Sequence, residues 1–274
     1  MTGQALPYGH LCWAYDDPAE FTARAEDFLR AGLAAGERVW FVVAGSPEPV
    51  LDRWRDLDLF AEALPSGAAE VIPLDAAYPD VTVIDPAGQV STYQMATRAA
   101  IAAGYSGLRV AAACTDLVRT PTQREAFARY EQQTNRMMRG EAFQAMCGYQ
   151  RPELGDRAVA ELACLHPEHN VPGLLFRLYA PTAHEGHAVL VGELDPANQD
   201  LFRTALEHTE LRPVGGELVL DAHGLRFLDH RTLVHLSEYA QQRRARLVLR
   251  GCPAGTARLV ALLELPGLCV EVTR

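Results

Sequence analysis

Residues 217–236 carry the densest group of side chains that could take part in chemistry. An apolar run at 217–220 is typical of a buried strand, a segment of turn composition follows it, and an apolar repeat of helical spacing begins after Asp229. The free amides of such a helix start favour an added negative charge, and imidazoles placed there could sense pH. The polar and turn-forming positions are Asp221, His223, Gly224, Asp229, His230 and Arg231.

A second group with chemical potential consists of thiols and imidazoles. Its members are Cys147, Cys164, His166 and His169, with His10 added if its strand lies beside them. A Cys-x-His pair offers donors that suit zinc or iron. However, no CxxC pair accompanies these residues and their spacing is irregular, so we expect core cysteines and a helix-ending histidine, with no metal site and no cofactor.

A third group lies on one predicted helix that begins at Thr120-Pro121 and contains Tyr130, Glu131 and Asn135. Glu131 and Asn135 are four residues apart and therefore share a face of that helix. Two interpretations stay open at this point. The face either lines a sensory pocket or is an ordinary solvated surface.

Two sets of alternating strands and helices must position these residues. Apolar runs at 10–15, 38–44, 69–73, 108–113 and 143–149 alternate with helical segments, which predicts a doubly wound, three-layer α/β domain over residues 1–168. Shorter strands are predicted at 174–179, 188–194, 217–220, 246–251 and 269–273, again between helices. They predict a second α/β domain over residues 172–274.

The composition excludes several functional classes. The chain has 274 residues, a net charge of −10 and no lysine, so it contains neither a phosphate-binding Walker A loop nor a Schiff-base lysine. An acidic chain without a basic cluster is not expected to bind nucleic acid or an anionic membrane. No nucleophile elbow or HExxH motif is present, so we expect no enzyme. Without a signal peptide or an apolar span, the chain is predicted to be cytoplasmic.

The N-terminal part resembles the MEDS sensory domain over about residues 8–168. The resemblance rests on several blocks in the family's order: His10-Leu-Cys-x-x-Tyr15, 28–38, 104–110, Tyr130-Glu131-x-x-x-Asn135, Cys147-x-Tyr149 and His166-Pro167. It implies a fold related to RecA-like ATPases, here without ATP hydrolysis because the Gly-rich loop and lysine are missing. It also implies a sensory pocket, for which the matching positions are His10, Tyr15, Arg109, Glu131, Asn135, Cys147, Tyr149 and His166.

The C-terminal part resembles STAS domains, the family of anti-sigma-factor antagonists, over about residues 172–274. The matching features are Gly192-Glu-Leu-Asp195 and the framework Asp221, Gly224, Leu225 and Asp229. The family carries hydroxyl side chains where this chain has His223 and His230. The resemblance implies that the loop and helix start bind an anti-sigma factor or a related kinase-fold protein, without the usual phosphorylatable Ser or Thr.

Several alternatives remain open from the sequence. The histidine-containing loop is either a constitutive binder, a binder controlled by the N-terminal domain, a histidine-based switch, or a degenerate loop without a partner. A second functional class is a small-molecule-binding sensor whose STAS domain serves dimerisation or scaffolding. The predicted partners therefore also include a small-molecule ligand and a second copy of the chain in a homodimer.

Overall fold

The computed structural model describes residues 9–79, 82–180 and 186–272, and it contains two six-stranded sheets. The first sheet is entirely parallel, in the order β3-β2-β4-β5-β1-β6. Its strands are β1 (His10–Tyr15), β2 (Arg38–Val43), β3 (Ala69–Pro73), β4 (Leu108–Ala113), β5 (Phe143–Gln150) and β6 (Glu168–His169). Its helices are α1 (Pro18–Ala34), α2 (Glu48–Arg55), α3 (Asp58–Ser66), α4 (Leu74–Ala77), α5 (Pro86–Ala102), α6 (Pro121–Met137) and α7 (Arg151–Ala163).

The second sheet has the order β10-β8-β9-β11-β12, and β7 pairs antiparallel with β8. Its strands are β7 (Phe176–Tyr179), β8 (His187–Leu194), β9 (Glu217–Asp221), β10 (Leu225–Leu228), β11 (Arg246–Cys252) and β12 (Leu268–Val272). Its helices are α8 (Gln199–His208), α9 (His230–Gln242) and α10 (Ala254–Leu263). The predicted fold class, two α/β units with a parallel sheet in the first, is confirmed.

Both faces of the first sheet are buried, as expected for a parallel sheet covered by helices. Along β1, Leu11 and Tyr15 join the apolar cluster under α1 and α3, whereas Cys12 and Ala14 join the cluster under α5, α6 and α7. This alternation follows from the period of two in a strand. It assigns His10, which precedes Cys12 by two residues, to the face covered by α6 and α7.

Helix α6 is fixed at its start by a capping box. The Thr120 hydroxyl accepts a hydrogen bond from the Gln123 amide, and the Gln123 side chain accepts one from the Thr120 amide. Each bond satisfies an amide that would lack a partner within the helix. A fixed start determines which residues of α6 face the sheet.

Several elements differ from the prediction, including a divided helix and the unpredicted short strands β6 and β10. A single helix is expected to follow Ser46-Pro47, but α2 and α3 are separated at Leu57, and the break lets Phe60 stack on Trp54 at a centroid distance of 4.1 Å. Strand β10 is not predicted because Leu225 and Leu228 are buried while the two residues between them are exposed. That pattern fits neither helical nor strand periodicity. In the described part of the chain, no helix is long and apolar enough to cross a membrane.

Candidate functional site

Six of the predicted sensory residues lie together on the face of the first sheet that α6 and α7 cover. Strands β1 and β5 supply His10, Cys147 and Tyr149, helix α6 supplies Glu131 and Asn135, and His166 follows the end of α7. Strand alternation places Cys147 and Tyr149 on one face, and the spacing of four places Glu131 and Asn135 on one side of α6. All six are buried. We call these six residues the polar cluster.

Glu131 lies at the centre of the polar cluster. The Tyr149 hydroxyl donates a hydrogen bond of 2.7 Å to Glu131 Oε1. The other carboxylate oxygen, Oε2, is 3.0 Å from His10 Nε2, and Oε1 is 3.4 Å from His166 Nε2. Glu131 and both imidazoles have no exposed side-chain surface. A carboxylate is stable in such a dry site only with partners of this kind.

The second nitrogen of each imidazole is held by a group outside this triad. Asn135 Nδ2 donates to the Leu165 carbonyl at 2.9 Å, which turns Asn135 Oδ1 toward His10 Nδ1 at 2.9 Å. His166 Nδ1 lies 3.0 Å from the Leu162 carbonyl. Since an amide oxygen and a carbonyl can only accept, both Nδ1 atoms carry hydrogen. Both Nε2 atoms therefore point to the interior of the polar cluster.

The charges in the polar cluster follow from burial and from Glu131. Burial alone would lower the pKa of His10, but the Glu131 carboxylate and the Cys147 side chain raise that pKa to about 10. Burial opposes the ionisation of Glu131, yet His166 and His10 outweigh it and lower the pKa of that carboxyl. The pKa of His166 is lowered, chiefly by burial. The protonated His10 and the ionised Glu131 thus form a pair beside a neutral His166.

Four members of the polar cluster also have atoms that ligate metals. One donor atom each from His10, Glu131, Cys147 and His166 lies within 4.8 Å of the others. Glu131 is not among the candidate metal ligands predicted from the sequence. It belongs to the group that the structure brings together, whereas Cys164 and His169 do not. Cys164 packs into the core of the second sheet, and His169 Nδ1 accepts the Val171 amide at 3.2 Å.

The second region of interest is the segment between β9 and α9. Asp221 Oδ1 accepts hydrogen bonds from the His223 amide at 3.1 Å and from His223 Nδ1 at 2.7 Å, so the exposed imidazole folds back on the turn. Gly224 has no side chain, and a Cβ atom at this position would lie 2.5 Å from Val191 of β8. The turn therefore lies close against β8, and His223 remains at the surface.

Asp229 caps α9, as predicted. Its Oδ1 accepts the Thr232 amide at 2.8 Å and the Thr232 hydroxyl at 2.6 Å. His230 and Arg231 begin the helix with exposed side chains, whereas Thr232 is fully buried. The Thr232 hydroxyl, the one nearest to the helix start, is therefore buried and bonded to the capping residue Asp229.

Two family models match successive parts of the chain. Residues 9–167 match the model described as the MEthanogen/methylotroph, DcmR Sensory domain, MEDS. The chain belongs to the MEDS family. Residues 179–270 match the model described as Mlab, STAS domain, so a STAS domain follows the MEDS domain. Searches of curated proteins and of solved structures found no match.

These families are sensory and regulatory, and neither is an enzyme family. The chain therefore combines a MEDS sensory domain with a STAS domain of the kind found in signalling by anti-sigma-factor antagonists. The fusion expected from the sequence is confirmed.

Two of the eight predicted sensory residues do not join the polar cluster of the MEDS domain. Tyr15 stacks on Phe21 with ring centroids 4.8 Å apart, on the opposite face of the sheet. Arg109 pairs there with Glu37 at 2.6 Å and donates to the Phe28 carbonyl at 3.1 Å. Both residues stabilise the packing of α1. Strand alternation in β1 and β4 separates them from His10 and Cys147.

Sequence reasoning missed the residues through which α6 contacts the STAS domain. The buried Gln132 donates to the Leu178 carbonyl of β7 at 2.8 Å and accepts the Ala180 amide at 3.0 Å. Arg136 donates to the Thr209 carbonyl at 2.8 Å, and Arg129 pairs with Glu210 at 2.8 Å. The available signal was the spacing of Gln132 and Arg136, which are four residues apart and each directly follow Glu131 and Asn135.

Proposed function

We propose that this chain is a partner-switching signalling protein of the anti-sigma-factor antagonist type, in which the MEDS domain controls the STAS domain. Its partner would be an anti-sigma factor or a related kinase-fold protein. The observation that carries the proposal is the position of α6. This helix supplies Glu131 and Asn135 to the polar cluster and Gln132 to β7, so it physically joins the polar cluster to the STAS sheet.

A continuous set of hydrogen bonds leads from β7 to the loop that would bind the partner. Strand β7 pairs with β8, and β8 pairs with β10 on its other side. The Gly192 amide of β8 donates to the Gly224 carbonyl at 2.9 Å, and the Asp229 amide donates to the Leu194 carbonyl at 3.1 Å. A shift of α6 against β7 would therefore act on both ends of the segment from Gly224 to Asp229.

The expected binding surface combines charged, imidazole and apolar groups. His223, His230 and Arg231 are exposed, and Phe227 between them keeps 52% of its surface exposed. A large exposed aromatic side chain beside polar groups is typical of a protein interface. These four side chains, with Asp221, Gly224 and Asp229 as their framework, form the proposed surface.

Control by phosphorylation of this surface is disfavoured. His230 occupies the position that follows the cap, and the Thr232 hydroxyl is buried and bonded to Asp229. A phosphate on Thr232 would have to break the cap of α9 and place about two negative charges in the core. This supports the interpretation in which control comes from the MEDS domain.

Calorimetric titration of the full chain with kinase-fold anti-sigma factors of the same cell tests the proposal. The variant Arg231→Ala should weaken binding about tenfold or more, as expected for an arginine within an interface. Arg258→Ala, which removes an exposed arginine of α10, is the matched control and should bind normally. The proposal fails if no anti-sigma factor binds and transcription in the cell is unchanged by Asp229→Ala and His230→Ala.

A cavity in the MEDS domain favours the second candidate function, a small-molecule sensor whose STAS domain serves dimerisation. The cavity has a volume of about 490 Å³ and is lined by Gly45, Pro73, Leu74, Asp75 and Asp116 at the carboxyl ends of β2, β3 and β4. Ligands of α/β proteins commonly bind at this edge of the sheet. Thermal-shift screening with metabolites and small hydrocarbon derivatives distinguishes this function from partner switching. A small-molecule sensor should be strongly stabilised against unfolding by its ligand when no protein partner is present.

A further inference from the structure

The polar cluster contains a donor set that suits a transition metal. We propose that His10 Nε2, Glu131 Oε2, Cys147 Sγ and His166 Nε2 bind one divalent ion of the zinc and iron class. Two imidazoles, a thiolate and a carboxylate are ligands that such ions commonly take in proteins. This inference does not depend on the partner-switching proposal, because it concerns the isolated chain.

The distances between the donor atoms fit a single ion. Bonds of about 2.0–2.3 Å to a tetrahedral ion separate its ligand atoms by roughly 3.3–3.7 Å. Glu131 Oε2 lies 3.0 Å from His10 Nε2, and Cys147 Sγ lies 3.7 Å from His10 Nε2. His166 Nε2 lies 3.4 Å from the nearer Glu131 oxygen. All four donor atoms lie within 4.8 Å of one another, so shifts of up to about 1 Å would place them around one centre.

The surrounding groups already orient the ligands. Asn135 holds His10 Nδ1, the Leu162 carbonyl holds His166 Nδ1, and the Tyr149 hydroxyl holds Glu131 Oε1. Each of these bonds leaves the other atom of the ligand, Nε2 or Oε2, directed at the proposed centre. Metal-binding histidines and carboxylates in proteins are usually held in this way by a second set of hydrogen bonds.

Two of the proposed ligand atoms lack a hydrogen bond. Glu131 Oε2 and His166 Nε2 are buried and find no partner with hydrogen-bond geometry among the described residues, although Oε2 is within ion-pair distance of His10. Buried polar atoms without a partner are uncommon and each requires an explanation. A metal ion would satisfy both atoms at once.

Charge also balances in the proposed site. With the ion bound, both imidazoles are neutral, and the Glu131 carboxylate and the Cys147 thiolate together carry two negative charges. A divalent ion neutralises them, and the protons of the Cys147 thiol and the His10 imidazolium leave for solvent. The four ligands and the ion together then carry no net charge.

Metal analysis of the full chain, purified without chelators or an affinity tag that binds metals, tests the proposal. We expect about one equivalent of zinc or iron per chain by mass spectrometry. After exchange with Co²⁺, an absorption band from thiolate-to-cobalt charge transfer should appear. Cys147→Ser should remove that band, whereas Cys252→Ser, which changes a buried strand cysteine of the STAS domain, should keep it.

A second variant keeps the test decisive if Cys147→Ser does not fold. Tyr149→Phe retains the ring and all four ligands but removes the hydrogen bond that orients Glu131. It should bind Co²⁺ with an affinity about 10–100-fold lower than the unaltered chain. The proposal is overturned if the chain contains no metal and takes up neither Zn²⁺, Fe²⁺ nor Co²⁺ under reducing conditions. It is equally overturned if Co²⁺ binds Tyr149→Phe as tightly as the unaltered chain.

Discussion

The MEDS domain and the STAS domain each contain a histidine paired with a carboxylate, in opposite surroundings. His10 and Glu131 are 3.0 Å apart and have no exposed side-chain surface. His223 and Asp221 are closer, at 2.7 Å, but keep 54% and 46% of their side-chain surface exposed. The shorter pair, between His223 and Asp221, is nevertheless the weaker one, because water screens an exposed pair. Removing one member of the buried pair would instead leave an uncompensated charge in the core.

The difference assigns distinct roles to the two pairs. The buried pair has further hydrogen bonds to Asn135 and Tyr149, so several contacts fix its arrangement. The hydrogen bonds of the exposed pair lie within its own turn among the contacts described, and about half of its imidazole surface is exposed. One region is suited to hold a state and the other to present a surface.

The largest effect is expected from removing the buried carboxylate. Glu131→Ala leaves His10 and the Tyr149 hydroxyl without their partner, and we expect a loss of about 3–5 kcal/mol in the free energy of unfolding. Urea denaturation measures this loss. Glu125→Ala removes an exposed carboxylate on the same helix, paired with Arg129, and should cost about 0.5 kcal/mol or less. Equal losses for the two variants would contradict the distinction between buried and exposed pairs.

A smaller effect is expected at the contact between the domains. Gln132→Ala leaves the Leu178 carbonyl and the Ala180 amide unsatisfied, which should cost about 1–3 kcal/mol. Hydrogen exchange should accelerate at the Ala180 amide. The neighbouring Gln133→Ala, at a half-buried position, serves as the control and should leave exchange there unchanged. If Gln132→Ala alters neither stability nor exchange, α6 does not couple the two domains.

The cap of α9 should contribute less than either buried contact in the MEDS domain. Asp229→Ala removes the acceptor for the Thr232 amide and hydroxyl, with an expected loss of about 1 kcal/mol. Thermal unfolding of this variant is compared with Asp200→Ala, which alters the first turn of α8, a helix that none of the described side chains caps. A loss no greater than that of Asp200→Ala would mean that Asp229 does not fix the start of α9.

The smallest effect on stability belongs to the exposed pair. His223→Ala should change the free energy of unfolding by about 0.5 kcal/mol or less, and the difference should shrink in high salt. Partner binding should nevertheless weaken, since the imidazole lies on the proposed surface. A marked loss of stability together with unchanged partner affinity would reverse the role given to this histidine.

Much of the fold could be predicted because the strands of the first sheet are buried on both faces. Such strands are near-continuous apolar runs, as at β2 and β4, and they stand out in the sequence. Strand β10 could not be predicted, since only its first and last residues face the core. The break between α2 and α3 depends on the stacking of Trp54 and Phe60, which no local pattern reveals.

The polar cluster was predicted in part through family resemblance and in part through helical spacing. Glu131 and Asn135 share a helix face because of their spacing. Their contact with His10 depends on the pairing of β1 with β5, which brings together residues as far apart in the chain as His10 and Asn135, 125 positions. Tyr15 and Arg109 match the same family pattern yet lie across the sheet. A motif identifies positions in the sequence, and the alternation of side chains along each strand decides which of them share a face of the sheet.

Strand β7 has a consequence for how the two domains can be separated. It begins at Phe176, before the STAS match starts at residue 179, and its Leu178 bonds both to Gln132 of α6 and, through its amide, to the Cys164 carbonyl at 2.7 Å. A fragment cut at residue 179 would lose most of this strand and expose the edge of β8 to aggregation. The start of the family match therefore differs from the start of the sheet, and the two domains are best expressed and studied as one chain.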